Sequence, residues 1–410
     1  MKAFIISKGK ELIDLAIITS DILIHAGFSI EVLTTDQNLT SPKFFHQCYY
    51  AKNNHDLIKK ADQLLINQYD LIVITEDSIL KLILNSNLPV HSKVILLPIC
   101  SAQNFTHIYS KINLSHLFEK KNIRTPAYFV AHSLDDLKTK MHSFKHPMLI
   151  KIDASAAGKG IVECNHSSDI DLIASKIKHY PVLVQQKIQG KTIDTSGFFQ
   201  NGQPIHFDYS SFEKTYLNPH GPSVLRRYYP LSAMNADIFD EISQLGLALG
   251  AHGFVNITCI LSAIDHKRYY IEADMRPNVW AGFSKYFTTD IASRIKHYFE
   301  HGRVLDIKDI CSVSNHMSTL LPYYARLSWV ELLTNRYHCW KYMDKHIAVV
   351  IFLSRWFSYQ RLFFVTYLKP YVPIVIWQVF KRLVKMIMRP LKTFPKKPSN
   401  KQQTEPNALL

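Results

Sequence analysis

The sequence predicts an α/β protein in which a parallel-sheet domain is followed by an α+β region. Short apolar runs alternate with helical patterns through the first hundred residues, starting with a strand at residues 3–6 and a helix at residues 11–25. Strands that alternate with helices in this way form a parallel sheet covered on both faces. The pattern changes from about Ile112, and Asn201-Gly202 then marks a hairpin between two strands. A chain of 410 residues is too long for one core, so two or three domains are expected.

The remaining elements follow from the same periodicities. In the first region they are strands at residues 30–33, 71–75 and 94–97 and a helical segment at residues 56–68. In the second region the helices are expected at residues 114–121, 134–144, 169–178 and 236–249, and the strands at residues 128–130, 148–152, 161–164, 182–186, 255–261 and 268–274. The chain reads Ser7-Lys8-Gly9-Lys10 after its first strand, without a GxGxxG pattern, so a nicotinamide- or flavin-binding role is poorly supported.

Charge and cysteine content set the broad class. Hydrophobic residues make up 47% and charged residues 20%, which is the composition of a globular protein rather than of a disordered or collagen-like chain. Of the net charge of +15, +11 lies in residues 331–410, which hold 14 Lys/Arg and 3 Asp/Glu. The 6 cysteines form no CxxC or CxxxC pair, so no zinc site, redox dithiol or disulfide framework is indicated. Because the N-terminal apolar run is too short for a secretory signal, the sequence predicts a cytoplasmic protein.

The first candidate for chemistry is a lysine followed by a glycine-rich loop. Lys151 ends an apolar strand, and a lysine leaving a buried strand is unfavourable unless it meets an anion. Gly158 and Gly160 would let backbone N–H groups approach phosphate oxygens, and Lys159 between them adds a positive charge. The loop lacks the GxxxxGK[ST] pattern, and by itself it fits a surface hairpin turn equally well.

The second candidate is the segment that carries Glu272, Asp274 and Arg276. Alternation along a strand puts these three side chains on one face. Two carboxylates roughly 6–7 Å apart along a strand can share a hard cation such as Mg²⁺. The arginine suits a phosphoryl oxygen or a carboxylate. The alternative is the solvated face of an edge strand.

A third feature is an apolar strand that stops at a polar hinge and could offer backbone groups to an adenine edge. The order and spacing of the three features resemble the ATP-grasp superfamily, closest in style to the carbamoyl-phosphate-synthetase-like and biotin-carboxylase-like ligases. The resemblance covers roughly residues 1–300. It rests on residues 111–126 closing in Ile123-Arg124-Thr125-Pro126, Pro147-Met148-Leu149-Ile150-Lys151 with Gly158-Lys159-Gly160, the hinge Val184-Gln185-Gln186-Lys187-Ile188-Gln189-Gly190, the turn Asn201-Gly202, and the strand Ile271-Glu272-Ala273-Asp274-Met275-Arg276.

The resemblance implies an ATP- and Mg²⁺-dependent ligase that makes an acyl phosphate from a carboxylate and transfers it to an amine or another nucleophile. Lys111 and Lys151 would hold ATP phosphates, and Gly158, Lys159 and Gly160 would form a mobile loop over them. The backbone of Gln186, Lys187 and Ile188 would hold the adenine. Glu272 and Asp274 would bind Mg²⁺ or Mn²⁺. Arg276 would orient the acyl phosphate or the acceptor carboxylate and, with Lys159, is assigned a catalytic role.

Several positions depart from the family pattern. The acidic hinge residue is Gln186 here, and the ribose-binding glutamate is replaced by Thr192, with Asp194 as a substitute. The first metal-ligand position of the family falls on Thr258. Metal binding would then depend on Glu272 and Asp274, with help from Asn256. These departures keep open a second class of function, a catalytically weakened nucleotide-binding protein that acts as an adaptor at a membrane surface.

Two features fall where such ligases place groups that face the substrate. Arg226 and Arg227 could grip an acidic substrate, or they could form an exposed basic pair. Trp280 could shape the acceptor pocket, although core packing is the more ordinary role for a tryptophan.

The resemblance also implies a domain organisation. The regions are a pre-ATP-grasp α/β domain at residues 1–110, a small ATP-grasp subdomain with the hinge at 111–190, a large subdomain at 191–305, a helical, basic and aromatic extension at 306–392 and a disordered tail at 393–410. Residues 347–391 are apolar, aromatic and basic, which favours an element lying on an anionic membrane surface, with packing on the ligase body or a membrane span as alternatives. The expected partners are ATP, a small carboxylate, an amine acceptor and the anionic surface on the inner face of a membrane. No nucleic-acid-binding module is recognisable.

Overall fold

The computed structural model describes residues 1–9, 13–36, 39, 44–153, 155, 158, 160–215, 219–229, 231, 237–281, 290–305 and 316–319. All of them lie in the first of the two compact units of the chain, Met1–Arg355 and Trp356–Leu410. Lys159, the segment at 347–391 and the tail at 393–410 lie outside the described residues, and only residues 316–319 of the extension at 306–392 lie within them.

The N-terminal sheet is parallel, as predicted. Its strands, in the spatial order β3-β2-β1-β4, are β1 (Lys2–Ser7), β2 (Ser29–Thr34), β3 (Gln47–Tyr50) and β4 (Leu71–Ile74). Its helices are α1 (Ile13–His25), α2 (Asn54–Leu64), α3 (Asp77–Leu84) and α4 (Val90–Leu96). Phe4 and Ile6 of β1 belong to one core cluster, and Ala3 and Ile5 to another. The continuous apolar sequence of β1 therefore reflects burial on both faces of the sheet.

One predicted strand of this region is wrong. The strand expected at residues 94–97 is instead the end of helix α4, which begins after Pro89. Leu96 and Leu97 are buried while Ile95 is exposed, so the apolar run is the inward face of a helix followed by its cap. An apolar run of four residues does not distinguish a buried strand from a buried helix segment. Strand β3 and helix α3 have no counterpart in the prediction.

A second sheet is small and antiparallel. Its strands, in the order β5-β8-β6-β7, are β5 (Tyr128–Ala131), β6 (Met148–Ile152), β7 (Ile161–Cys164) and β8 (Val182–Gln186). Helices α5 (Lys111–Lys120), α6 (Leu134–Ser143) and α7 (Ile170–Ala174) accompany it, and the strands match those predicted. Leu137, Met141, Ile150 and Val184 are fully buried in a core cluster that belongs to this sheet alone.

The third sheet has seven strands and holds the predicted hairpin. Its strands, joined in the order β14-β13-β9-β11-β12-β15 with β10 beside β9, are β9 (Gly190–Gln200), β10 (Gln203–Phe207), β11 (Ser210–Thr215), β12 (Ser223–Tyr228), β13 (Gly253–Ser262), β14 (Arg268–Asp274) and β15 (His316–Thr319). Helices α8 (Asp237–Leu249) and α9 (Ile291–His301) accompany it. Asn201 and Gly202, with φ of 51° and 81°, turn the chain between β9 and β10.

Strand β15 differs from the prediction. It lies in the range 306–392, which the sequence predicts to be helical, yet it pairs with β12 and extends the large sheet. Each of the other sheets falls inside one predicted region, and the boundaries at residues 110, 190 and 305 stay predictions. Within the described ranges, no helix has the length and apolar character needed to cross a bilayer.

The N-terminal sheet and the large sheet share one hydrophobic core. Phe4 and Ile6 of β1 belong to the same buried cluster as Val255 and Ile257 of β13. These two sheets therefore form a continuous packed body, whereas the small sheet is packed around its own cluster.

Candidate active site

A cavity of about 910 Å³ is lined by the small sheet, the large sheet and helices α1 and α3 of the N-terminal region. The small sheet contributes Lys151 and Glu163, the large sheet contributes Thr258 and Glu272, and helix α3 contributes Asp77. Of the residues assigned a role from the sequence, those that line the cavity are Lys111, Lys151, Gly158, Gln186, Lys187, Ile188, Glu272, Asp274 and Arg276. Gly160 and Asp194 do not line it. One cavity therefore brings together nine of the predicted side chains and backbone groups.

Two lysines form the cationic wall of the cavity. Lys151 in β6 is buried, and no carboxylate of the described residues forms an ion pair with it. Burial lowers the pKa of Lys151 to about 8, the charge of Glu272 opposes that change, and the charge of Lys111 adds to it. Lys111, the first residue of α5, directs its Nζ to the backbone oxygens of Asp153, at 3.3 Å, and Ser155. Positive charge at this wall is thus only partly compensated within the described chain.

The loop after β6 is tied to helix α5. The carboxylate of Asp153 accepts hydrogen bonds from the Ile112 N–H at 2.9 Å and from the Ser110 hydroxyl at 3.0 Å. Ser110 in turn caps the helix by accepting from the Asn113 N–H at 3.1 Å. Lys111 is therefore held at the helix N-terminus, where the backbone dipole favours an anion.

The glycines of this loop are required by its geometry. Gly158 has a φ of 71°, in the left-handed region that favours glycine. A Cβ at Gly160 would overlap the Cβ of Ser155, whose hydroxyl donates to the Ile152 oxygen at 2.8 Å. The Ile152 N–H donates to the Gly160 oxygen at 2.9 Å. Gly160 thus closes the base of the loop, which explains why it does not line the cavity although its sequence neighbour Gly158 does.

Two of the three backbone N–H groups at hinge residues 186–188 are already hydrogen-bonded. The N–H groups of Gln186 and Lys187 are taken by the carbonyl oxygens of Ala127 and Pro147, at 2.8 and 2.9 Å. The Ile188 N–H, in contrast, donates to none of the residues that the structure describes. The hinge backbone at Gln186 and Lys187 is thus fixed, and Ile188, which lines the cavity, keeps an N–H that the described residues do not use.

A cluster around Glu163 joins the small sheet to the large one. Glu163 in β7 accepts from Lys187 Nζ at 2.8 Å and contacts His220 Nε2 at 2.7 Å. Lys187 belongs to the hinge, and His220 precedes β12 of the large sheet. All three residues line the cavity. The cluster therefore fastens the loop that carries His220 across the cavity to the small sheet.

Glu272 and Asp274 form the acidic wall, opposite in charge to the lysines. In the register of the large sheet, Thr258 of β13 is the partner of Glu272, and Asn256 is the partner of Asp274. All four residues line the cavity. Burial raises the pKa of Asp274 to about 8, with Arg276 opposing the shift and Glu272 adding to it. The sheet therefore sets two carboxylates and two neutral oxygen-bearing side chains side by side.

These groups fit a hard divalent cation. Mg²⁺ binds oxygen ligands and typically uses one or two carboxylates, with the remaining positions supplied by phosphate and water. Glu272 and Asp274 supply two carboxylates on one face of β14. Thr258 stands where the family resemblance implies a further metal ligand. Among the described residues, no group of three or more His, Cys, Asp and Glu side chains could enclose a metal by itself. A cation at this wall would therefore depend on a phosphate-bearing ligand for most of its coordination.

Arg276 lies just beyond β14 and is held by an acidic residue of the N-terminal domain. Its Nε and Nη2 donate to the two carboxylate oxygens of Asp77, at 2.7 and 2.9 Å. Nη2 also lies 3.3 Å from Asp274 Oδ2. Burial opposes the charged form of Arg276, but the two carboxylates together outweigh it and raise the pKa of Arg276. Arg276 thus meets the acidic wall and the N-terminal domain at the same point.

Asp194 has a different environment from the one that the sequence suggests. Its carboxylate is completely buried and accepts hydrogen bonds from Arg226, from Asn278 Nδ2 at 3.2 Å and from Thr258 Oγ1 at 3.3 Å. Thr192, two residues earlier, lines the cavity instead. The Asp194 carboxylate is thus committed to the interior of the large sheet, and its assignment to a ribose stays a prediction that this geometry does not support.

Arg226 and Trp280 pack together. The Arg226 guanidinium lies 4.7 Å from the ring centre of Phe212 and 4.5 Å from that of Trp280, and both Arg226 and Trp280 line the cavity while being nearly buried. Arg226 is therefore not part of an exposed basic pair, and Trp280 both shapes the cavity and packs in the interior. Arg227 points elsewhere, with Nε 3.6 Å from Glu213.

Sequence reasoning missed Asp77, Asp153 and Glu163. Asp77 follows the end of a parallel strand, and the carboxyl ends of such strands are where ligands bind in open α/β sheets, so its position was a usable signal. Asp153 comes two residues after Lys151. Its contact with the first turn of α5 depends on the conformation of the loop after β6, which no local pattern indicates. Glu163 acts through residues 24 and 57 positions away, Lys187 and His220, and no local pattern indicates such a contact.

Comparison with solved structures places the fold among known enzymes. N5-carboxyaminoimidazole synthetase from Staphylococcus aureus, solved with ADP, has a TM-score of 0.60 at 12% identity over 77% of this chain and 81% of that chain. L-amino acid ligase from Bacillus licheniformis has a TM-score of 0.56 at 14% identity over 78% and 80%. The biotin carboxylase domain of 2-oxoglutarate carboxylase from Hydrogenobacter thermophilus was solved with MgADP and bicarbonate. It has a TM-score of 0.56 at 14% identity over 77% of this chain and 73% of that chain.

At the level of sequence, no family model and no curated protein matches the chain. The structural similarity to these proteins, which are all ATP-grasp enzymes, covers 77–78% of this chain. The resemblance found in the sequence is thus confirmed where it concerns architecture. The chain has the fold of the ATP-grasp superfamily.

Proposed function

We propose that this protein is an ATP- and Mg²⁺-dependent ligase that activates a small carboxylate as an acyl phosphate and joins it to an amine. The observation that carries the proposal is the cavity itself, in which Lys111 and Lys151 form one wall and Glu272 and Asp274 form another. Partly uncompensated lysines favour phosphate groups, and paired carboxylates favour the cation that accompanies them. The structural neighbours solved with ADP or MgADP support the same assignment.

The nucleotide is assigned to the side of the cavity formed by the small sheet and the hinge. The adenine edge would accept the unused N–H of Ile188, with Gln186 and Lys187 forming the adjoining backbone. Lys111 and Lys151 would contact the phosphates, and the loop at Gly158 and Gly160, with Lys159 as predicted from the sequence, would cover them. Burial favours this use of Lys151, because an anion restores the charged form that the apolar surroundings disfavour.

Glu272 and Asp274 would hold Mg²⁺, or Mn²⁺, which neutralises phosphate charge when it is bound. Because Asp274 has a raised pKa in the described chain, an added positive charge would favour its ionised form. Thr258 and Asn256, their partners on β13, are neutral and leave the wall with fewer charges than a third carboxylate would give.

The reaction places its charge changes at groups that the cavity supplies. A carboxylate oxygen of the substrate attacks the γ-phosphorus of ATP, ADP leaves, and an acyl phosphate forms. The amine nitrogen then attacks the acyl carbon, inorganic phosphate leaves, and the nitrogen loses a proton. Lys111, Lys151 and Arg276 would stabilise the negative charge that moves between these oxygens, so that the protein acts mainly by positioning and electrostatics.

Calorimetric titration of the full-length protein with ADP and ATP, with and without Mg²⁺, tests the proposal. Each charge-assisted contact to phosphate contributes enough that Lys111→Ala and Lys151→Ala should each weaken Mg-nucleotide binding by about 10- to 100-fold. Lys120→Ala is the matched control, because Lys120 is exposed on the same helix as Lys111 and lies outside the cavity. Glu272→Gln should weaken binding in Mg²⁺ and leave the weak binding in EDTA unchanged.

Binding with this pattern would be followed by a screen for inorganic phosphate release with pairs of small carboxylates and amines. Failure of the wild-type protein to bind ATP or ADP would exclude the ligase and leave a membrane-associated adaptor as the working account. Binding without phosphate release in any pair would favour a nucleotide-binding adaptor. The role of residues 347–391 at an anionic membrane surface is a separate prediction, which flotation with anionic and neutral vesicles would test.

A further inference from the structure

The Asp77–Arg276 ion pair joins the N-terminal domain to the acidic wall of the cavity. Asp77 is the first residue of α3, directly after Glu76. Glu76 is itself fixed, because its carboxylate is buried and accepts hydrogen bonds from the Ser7 hydroxyl at 3.1 Å and from the Lys8 N–H at 2.9 Å. The backbone at Asp77 is thus held at the end of the parallel sheet by contacts that do not involve Arg276.

The hydrogen bonds of Arg276 leave it one donor for a ligand. A guanidinium has five N–H groups. In the described chain, Nε–H and one Nη2–H go to Asp77, the other Nη2–H faces Asp274 at 3.3 Å, and one Nη1–H faces the Pro277 oxygen at 3.3 Å. The remaining Nη1–H is the donor not used by these residues. A side chain with one unused donor cannot clamp a carboxylate or phosphate with two parallel hydrogen bonds, as a free arginine does.

Charge gives the second part of the argument. Asp77 and Asp274 both lie against Arg276, so that its positive charge is compensated before any ligand arrives. The lysines at the other wall are not compensated in this way. The cavity therefore has a cationic side for the nucleotide phosphates and an acidic side on which the charge of Arg276 is already balanced by carboxylates.

We propose that Asp77 is a positioning residue that fixes the Arg276 guanidinium with one N–H toward the cavity and weakens its attraction for anions. The inference rests on the proposed ligase function and deepens it. In a reaction that releases inorganic phosphate, an uncompensated arginine beside the acidic wall would retain the phosphate product. Asp77 would keep phosphate binding weak while it orients the one donor that Arg276 offers to the reacting oxygens.

The test uses inorganic phosphate as the probe and the full-length protein loaded with Mg-ADP. Asp77→Asn removes the negative charge about one ion-pair distance from the guanidinium, and phosphate should then bind about 5- to 20-fold more tightly. The gain should require Mg-ADP and should disappear in Asp77→Asn/Arg276→Gln. Asp237→Asn is the matched control, because Asp237 also begins a helix, is exposed and lies outside the cavity. It should leave phosphate affinity unchanged.

A second readout separates positioning from charge. With a substrate pair from the phosphate-release screen, Asp77→Asn should lower kcat by about 100-fold, the loss that a misplaced catalytic group can cause. The KM for the carboxylate should fall or stay constant. Asp77→Glu, which keeps the charge on a longer side chain, should leave phosphate affinity within about 2-fold of wild type by the same Coulomb argument, yet still lower kcat.

The outcomes discriminate between the two levels of proposal. Loss of Mg-ADP binding in the wild-type protein would remove the ligase function and this inference with it. Normal Mg-ADP binding by Asp77→Asn together with unchanged or weaker phosphate binding would overturn the positioning role alone and leave the ligase standing. If Asp77→Asn does not retain Mg-ADP binding, Asp77→Ser replaces it, since serine also lacks the charge and is well tolerated at a helix start.

Discussion

The Asp194 carboxylate accepts a hydrogen bond from the Arg226 guanidinium inside the large sheet, where the two side chains are 0% and 5% exposed. The aromatic rings of Phe212 and Trp280 lie on the guanidinium. Such a pair is stable only while both charges are present, because either charge alone would be buried without compensation. The pair thus ties β9 to β12 in the sheet that carries the acidic wall.

Removing one member of this pair should be worse than removing both. Asp194→Asn and Arg226→Met should each lower the free energy of unfolding by about 3–5 kcal/mol, the usual effect of an uncompensated buried charge. The double variant should lose no more than half of the sum of the two single losses in the free energy of unfolding. Urea denaturation measures all three, and Arg227→Met is the control, because Arg227 and its partner Glu213 are more accessible, so the loss should stay below about 1 kcal/mol. Strictly additive losses would contradict the coupling.

The base of the phosphate loop should not tolerate a side chain at Gly160. Gly160→Ala forces its Cβ into Ser155 and should displace the loop, weakening Mg-ATP binding by about 10-fold or more, a loss within the range for one charge-assisted phosphate contact. Ser155→Gly in the same chain should restore much of the affinity, because it removes the overlapping atoms. Gly302→Ala serves as the control: its φ is 67°, a Cβ there meets nothing within 4 Å, and it follows the last turn of α9. It should cost stability without changing nucleotide affinity.

The sequence predicted the parts of the site that local pattern encodes. Lys151 at a strand end, the glycines at 158 and 160, and the alternating Glu272 and Asp274 are all visible as short motifs. All of them except Gly160, which lies at the base of the loop, line one cavity in the structure. Asp194 has a different environment. The family resemblance implied that it could substitute for a ribose-binding glutamate, but the direction of its side chain depends on which face of β9 packs inward, and that is decided by pairing with β13.

The contacts that organise the site are long-range, and the sequence could not supply them. Asp77 and Arg276 are 199 residues apart, and Glu163 and His220 are 57 residues apart. Each contact needs two domains to be docked before either partner is near the other. The wrong strand at 94–97 has a local cause instead, because four apolar residues satisfy both the strand and the buried-helix pattern.

The Glu163 cluster should slow the exit of nucleotide. In Glu163→Gln, Lys187 and His220 lose the carboxylate that joins β7 to the loop before β12, so a bound nucleotide should dissociate about 10-fold faster, the effect of losing a charge-assisted contact. Stopped-flow displacement of a fluorescent ADP analogue measures this rate. Asp171→Asn is the control, because it breaks an ion pair with Lys138 on the same domain, away from the cavity.

The same cluster sets a pH dependence with a definite sign. The hydrogen bond from Lys187 holds the pKa of Glu163 below its usual range; burial opposes this effect, and the hydrogen bond from His220 adds to it. The stabilisation that the ionised Glu163 carboxylate provides is therefore fully present above its unfolded pKa of about 4.3. It is lost as the pH falls through the lower pKa that Glu163 has in the folded protein. Dissociation in the wild-type protein should accelerate below that range and approach the rate of Glu163→Gln. An equal acceleration in Glu163→Gln would assign the pH effect to other groups.

Buried histidines should make the protein sensitive to mild acid. Burial lowers the pKa of His107 to about 4, with a backbone hydrogen bond to Leu249 opposing, and burial lowers that of His206 to about 3. Both groups have lower pKa values in the folded than in the unfolded chain, where histidine titrates near 6.5. Between those values the unfolded chain binds more protons, so stability falls as the pH decreases from about 6.5 toward 4.

Chemical denaturation at a series of pH values tests this dependence. Each buried histidine should contribute a slope of about 1.4 kcal/mol per pH unit over this range, or about 3 kcal/mol between pH 6.5 and 4. His107→Gln should lose stability at neutral pH but show a slope reduced by one proton. His25→Gln, at an exposed position near the end of α1, should leave the slope unchanged. An unaltered slope in His107→Gln would show that His107 becomes protonated in the folded protein, and that the apolar wall around it admits water.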